Sequence, residues 1–459
     1  MAGMRDFIAK LKGMGKLKVI EREIDPRHIS ACAAKANGPL LLNHIAGYSG
    51  FRVASGFAVN REMIALALGC SERRLAQTFN ECMQRQILPK AMEGGPVKEV
   101  VLKGEQVDLT TLPIPLLHRG DGGPYITGGV VIARDPLGEL GINAGMYRLM
   151  FRTKNETGID LQTASDLRSF YERAFKMGKP LPISVAIGVH PLLMMAATYR
   201  APAGLSELDI ASRLMNEPLA VTKSETNDLP VPADAEIVLE GEILPIGWTV
   251  QEGPFGEFAG FQGESKWNPV VRYHCMTMRR EPIYYTCCMP WENDFLHAAA
   301  TEIAVLQAIR DAGVKVHEVR TTPGAACFWQ VVVSVEKRTG EGKNALLAAL
   351  AVGGIKIAII TDSDVDIFDQ VALDRAVAFR VRPVEDVMIV TGTRGVHVDP
   401  SLEAWRLPKG VLPMTSKLGI DATKPESIPW DRYEPIKYYH MDEVDLDNLL
   451  ADSDGGELA

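Results

Sequence analysis

A chain of 459 residues and 50.2 kDa is too long for one hydrophobic core and implies about two or three domains. Its 23% charged residues, mean hydropathy of +0.01 and formal net charge of −9 describe an ordinary globular protein and argue against a general binder of nucleic acid or of anionic membranes. The seven cysteines are odd in number, scattered and without CxxC spacing, which argues against a disulfide framework and for reduced thiols in a cytoplasm.

The basic start, MAGMRDFIAKLKGMGKLK, lacks an uninterrupted apolar core and a small-residue cleavage site, so no targeting segment is expected. Phe7, Ile8, Leu11 and Met14 recur at helical spacing, Lys18 to Ile20 read as a strand, and Asp25-Pro26 opens a further helix. Short strands at 40–42 and 52–54 and helices near 60–70 and 73–85 complete a mixed α/β unit. From about Val97 the texture changes to strands broken by Gly and Pro, at 100–102, 126–133, 150–152, 183–189, 237–244 and 271–288, with helices near 165–177 and 206–215. Regular short strands with Gly-rich corners predict a barrel or a strongly bent sheet. Near residue 294 a long helix, 295–311, introduces strands at 328–335, 356–361 and 387–390 alternating with helices at 342–352 and 370–379, the pattern of an open α/β sheet. No apolar run is long enough to cross a bilayer, and only the tail ADSDGGELA reads as disordered.

Four stretches carry chemistry. In EGPFGEFAG, Glu252 and Glu257 stand five residues apart across a Gly-Pro-x-Gly bend, a rigid turn that aims two acids at one place, as acid-base work requires. In GINAGMYR, Asn143 offers a carbonyl oxygen, Gly145 permits close backbone approach and Arg148 gives a planar fork for carboxylate or phosphate. In TYRAPAGLSE, Ser206 is an N-cap and Glu207 either complements the helix dipole or serves, with Asn143, as an oxygen ligand for a hard cation. In SKLGIDAT, Lys417 reads as a loop lysine, either solvated or a point charge for a phosphate. A solvated turn, a capped loop and a surface lysine are the plain alternatives for each stretch taken alone.

Together, GINAGMYR, APAGLSELDIA, SETNDLPVPADAEIVLEGEI, EGPFGEFAGF, TDSDVDIFD, RVRP and SKLGIDAT occur in the order found in UbiD-like decarboxylases, and the chain resembles that family over nearly its whole length. The resemblance implies an N-terminal α/β domain (1–96), a central split β-barrel that binds prenylated FMN (97–293), and a linker helix with a C-terminal α/β oligomerisation domain and tail (294–459). It implies a reversible, non-oxidative carboxy-lyase that takes its cofactor from a flavin prenyltransferase and assembles as a homodimer or homohexamer. Position by position, it makes Arg148, Glu252 and Glu257 the trio acting on the substrate, with Glu257 the proton donor. Asn143 and Glu207 become ligands of a divalent metal, usually manganese, that holds the flavin phosphate, with Lys417 a phosphate contact. Thr198 and Tyr199 fall in the segment that touches the flavin and a potassium ion. The family's third metal ligand is a His; here Ser165 stands in its place, and no His occurs between His118 and His190. Asp166 or a water is then the oxygen donor that replaces it. Trp291 and His297 lie in the segment that borders the family's pocket and can shape a site for an aromatic or heteroaromatic acid, or else be interdomain core and solvated helix. Two rival readings stay open: a flavin-binding scaffold without turnover, and an ordinary split-barrel flavin reductase.

Overall fold

The computed structural model describes residues 3–201, 204–407, 411, 413–436 and 438–451, so most of the ADSDGGELA tail lies outside the described residues. The central layer is a nine-stranded antiparallel sheet, curled into a half-barrel. Its longest strand, Val270–Met278, pairs along one edge with Ile237–Ile243 and divides the other edge between Glu156–Gly158 and Val100–Lys103. A register shift at Glu240/Gly241 lets the sheet bend there, and only a glycine fits, because a Cβ on Gly241 would stand 2.1 Å from the Arg272 carbonyl oxygen.

Two smaller sheets flank this layer. The N-terminal one runs Lys18–Ile20, Leu40–Leu42, Arg52–Ser55 and Ile283–Tyr285, so the expected 271–288 strand is two strands in different sheets. The C-terminal one has five strands, with Gln330–Glu336, Ile357–Asp362 and Met414–Asp421 parallel at its centre and antiparallel edges at Lys315–Thr321 and Val387–Arg394. The helix Trp291–Asp311 ties the two smaller sheets together through buried acids. Glu292 accepts from the amides of Gly56 and Ala58 and from the Tyr285 hydroxyl, while Glu302 pairs with Arg61 and accepts from Thr321. Among the described residues no helix is long and apolar enough to cross a membrane.

Several local expectations change. The Asn143 stretch is a strand, Ile142–Met146, registered on Gly129–Arg134 with Asn143 opposite Ala133. Pairing there overrides the weak strand propensity of Asn and Gly. The segment 126–133 is broken at Thr127 and Gly128, where a Cβ on Gly128 would meet the Tyr285 carbonyl oxygen at 2.6 Å. Lys417 is not in a loop. It lies in the strand Met414–Asp421 with Lys417 and Gly419 facing inward, and Gly419 makes room for Leu346 and Leu350.

Candidate active site

The acid-bearing turn leaves a two-stranded hairpin, Val250–Glu252 against Lys266–Asn268, in which Glu252 is registered directly opposite Lys266. Between these strands the chain bends through Gly253 at φ 97°, a conformation glycine adopts without steric cost, and buries Phe255 against Tyr125 with ring centroids 4.6 Å apart. The loop closes on itself: the Glu257 amide donates to the Phe261 carbonyl at 2.9 Å and the Gly263 amide to that of Phe255 at 2.8 Å. Asp121 accepts from the Gly256 amide at 2.8 Å. Glu252 is therefore fully buried and Glu257 6% exposed, both on a rigid frame.

Arg148, two residues beyond Met146, reaches under this turn. Its Nε and one terminal nitrogen donate to the two oxygens of Glu252 at 3.0 and 3.2 Å, the other terminal nitrogen to Glu257 Oε2 at 2.7 Å, and its guanidinium carbon sits 4.6 Å from the Phe255 ring centre. The structure thus brings together the three residues expected to act on a substrate. It adds others that sequence reasoning missed. Asp160 pairs with Arg148 at 2.9 Å, Lys266 with Glu257 Oε1 at 3.0 Å, and the Asn268 amide donates to Glu252 Oε2 at 2.9 Å. His397, from the loop after Val387–Arg394, comes near enough to feel the charges of Lys266, Asp160 and Glu257. A signal for Asp160 existed: it sits between Ile159 and Leu161, both buried, in an otherwise apolar step.

The electrostatics are those of a crowded, dry cluster. Burial opposes the charge on Arg148, but Asp160, Glu257 and Glu252 more than offset it and hold the guanidinium well above its ordinary value. Burial likewise pushes the Asp160 carboxyl up, and Arg148 followed by Lys266 pulls it below the usual range. Three carboxylates face two cations, so the cluster carries a surplus negative charge.

The residues expected to bind a cation form a second cluster, between the strand Ile142–Met146 and the helix Glu207–Met215. The Ala144 backbone amide donates to Glu207 Oε2 at 2.7 Å and Asn143 Nδ2 to Glu207 Oε1 at 3.3 Å, while Asn143 Oδ1 is buried with no partner. Burial, aided by the charge of Asp166, pushes the Glu207 carboxyl up to about 7. An orphaned carbonyl oxygen beside an acid that resists ionisation is the donor chemistry a hard divalent cation satisfies, so the residues fit one. Among the described residues no group of three His, Cys, Asp or Glu side chains is arranged to hold a metal ion, and Ser165 caps the helix Asp166–Lys176 by accepting from the Arg168 amide. Asp166 remains exposed at that helix start.

The other expected residues are more dispersed. Thr198 donates to the carbonyls of Met195 and Leu296, and Tyr199 packs on Phe79 at 5.1 Å. Lys417 caps the end of the helix Glu341–Ala351, donating to the carbonyls of Leu350 and Val352, and burial lowers its pKa. Trp291 is 46% exposed at the start of its helix, whereas Phe295 is buried. His297 is neither solvated nor alone. Its ring lies 5.8 Å from Phe258 and 6.0 Å from Phe328, Trp329 stacks on Phe258 at 5.2 Å, and burial pulls the imidazole down to about 4. One turn earlier, Asp294 is 3% exposed with Oδ1 unpartnered, and burial pushes its carboxyl up to about 8. Phe258 follows Glu257 directly, so this ring-lined box adjoins the acid cluster.

Comparison with known proteins places these features in a wider set. Three family models match the chain in series: the 3-octaprenyl-4-hydroxybenzoate carboxy-lyase N-terminal domain over 8–83, its Rift-related domain over 90–292 and its C-terminal domain over 294–422. Anhydromevalonate phosphate decarboxylase of Methanothermobacter thermautotrophicus is 32% identical, over 92% of this chain and 97% of that protein. The UbiD-class enzyme HmfF from Pelotomaculum thermopropionicum, in complex with FMN, superposes with a TM-score of 0.90 at 36% identity, covering 97% of this chain and 100% of that one. An evolved dimeric form of HmfF in complex with prFMN gives a TM-score of 0.86 at 35% identity over 98% and 100% of the two chains. Apo 3,4-dihydroxybenzoic acid decarboxylase (AroY) of Klebsiella pneumoniae gives 0.87 at 25% identity over 98% and 99%.

Proposed function

The chain belongs to the UbiD family of carboxy-lyases, and on that footing we propose that it is a prenylated-FMN-dependent, reversible decarboxylase of an unsaturated aromatic or heteroaromatic acid. The observation that carries the reading is one guanidinium gathering Glu252, Glu257 and Asp160 beside a box of rings. A flavin reductase has no use for that cluster, and a scaffold has no need to bury it.

The prenylated flavin, when bound, supplies the electron sink for the pair left by departing CO2. Everything else falls to the chain. Arg148 fixes the two glutamates by occupying both oxygens of Glu252 and one of Glu257, so neither acid can swing away. Glu252, fully buried and held by Arg148 and Asn268, is the orienting acid. Glu257 delivers a proton to the carbon that has lost CO2 and takes it back in the carboxylation direction. Asn143, Glu207 and Asp166 would hold the divalent cation, manganese suiting the oxygen donors, with Thr198 and Tyr199 toward the flavin and a potassium ion. Lys417 can contact a phosphate only by leaving the Leu350 and Val352 carbonyls.

Phe258, Phe328, Trp329 and a neutral His297 make an uncharged, flat-walled lining. That favours a planar ring over anhydromevalonate phosphate, which the name of the Methanothermobacter relative carries. Trp291 belongs to the rim. The proposal extends to the division at 1–96, 97–293 and 294–459, to a homodimer or homohexamer, to a flavin prenyltransferase as cofactor supplier, and to a reducing cytoplasm suited to seven free thiols. Incubating protein matured with prenylated flavin against a panel of unsaturated acids in D2O tests the function. CO2 release with deuterium at the vacated carbon is expected, and flavin-loaded protein inert across the panel would return it to the scaffold reading.

A further inference from the structure

Decarboxylation consumes one proton per turnover: the C–CO2 bond breaks, CO2 leaves, and a new C–H bond takes a proton that must come from bulk water. The donor proposed above is badly placed to collect it. Glu257 has a side chain only 7% exposed, and its carboxylate is held by Arg148 on Oε2 and Lys266 on Oε1. Arg148 cannot pass on a proton, because a guanidinium stays charged at any pH the protein meets. Lys266 can. Its side chain is 19% exposed, against 10% for Arg148, and its ammonium lies 3.0 Å from Glu257 Oε1. The hairpin fixes that placement, since Lys266 is registered opposite Glu252 and two residues before Asn268, which is itself anchored on Glu252.

Resting on the decarboxylase reading, we propose that Lys266 is the proton relay between solvent and Glu257. The ammonium gives one proton to Glu257 Oε1 and becomes a neutral amine, which recovers a proton from water or buffer. Glu257 gives its proton to the substrate carbon and returns to carboxylate, so over a cycle both side chains are restored and one solvent proton is consumed. The groups facing Lys266 are Glu257, Asp160 and His397, and those facing Glu257 are Arg148, Lys266 and His397. Carboxylation runs the same route outward.

The test uses holoenzyme with prenylated flavin and three substitutions, Lys266→Met, Lys266→Arg and Lys266→Ala, reading CO2 release and deuterium exchange into the product's C–H bond. Lys266→Arg keeps the ion pair with Glu257 but cannot release a proton. Met and Arg are each expected to slow exchange by roughly 10²-fold, the usual worth of one positioned acid-base group, with flavin content unchanged. Ethylammonium is expected to restore Lys266→Ala in proportion to its concentration, an effect that a merely structural lysine would not show. Lys266→Arg at the parental rate would mean that charge alone suffices and would overturn the relay, as would loss of activity in Lys266→Ala that no amine repairs. A parent enzyme that neither releases CO2 nor exchanges deuterium would bring down the decarboxylase reading and the relay together. Parental turnover with Lys266→Met at full rate would bring down the relay alone.

Discussion

Asp294 allows a quantitative check on how this interior treats charge. The residue is 3% exposed, its Oδ1 has no partner, and burial lifts its carboxyl from 3.8 to about 8. A carboxyl raised in the folded state favours folding fully below pH 3.8, and that favourable balance is lost as the pH climbs to about 8, because the unfolded chain sheds its proton first. At ~1.36 kcal/mol per pH unit, the wild type gives up about 2 kcal/mol by pH 5 and about 5 kcal/mol by pH 8. Asp294→Asn keeps the shape and a polar head but has no proton to lose. Its stability relative to wild type should therefore start near zero in acid and rise with pH, by roughly 2 °C of melting temperature per kcal/mol in a chain of this size. Melting curves of both proteins from pH 4 to pH 9 measure the difference. A gap that does not change between pH 5 and pH 8 would refute a buried, proton-bearing Asp294.

Glu257→Gln should abolish decarboxylation by at least about 10²-fold while flavin absorbance persists, and a near-parental rate would remove Glu257 from the donor role. Glu207→Ala should lower divalent-metal content by elemental analysis and weaken flavin retention, whereas unchanged metal would dissociate Glu207 from any cation. Asp160→Asn removes one buried partner of Arg148 while leaving two, and should destabilise by about 1–3 kcal/mol in chemical denaturation, less than Arg148→Met, which strands three carboxylates.

Much of this is legible in the sequence. Arg148 stands more than a hundred positions before Glu252 and Glu257 in the chain, yet it meets both within hydrogen-bonding distance. What stayed hidden has a common physical cause. Asp160, Lys266 and His397 enter the cluster through pairing and packing between distant segments, which no local spacing encodes. The strand at 142–146 went unread because Gly and Asn mark turns in isolation, and only its ladder with Gly129–Arg134 makes them strand residues. Lys417 suffered the same fate: a lysine between Ser and Gly looks solvated until a neighbouring helix end claims its ammonium. Ser165 is the reverse case, legible as a departure from the family and found serving as a helix cap.

The hairpin that carries Glu252 and Lys266 forms its own two-stranded sheet, outside the ladder of the nine central strands. Its base is pinned by ion pairs, whereas its tip, with Phe261 60% exposed, faces outward. The Phe261 side chain can be exchanged without disturbing the Glu252–Lys266 register, whereas Phe258 is packed on Trp329 and a Cβ on Gly263 would stand 2.6 Å from Glu257 Oε1. A scaffold built this way can vary one outward side chain while its proton chemistry stays fixed.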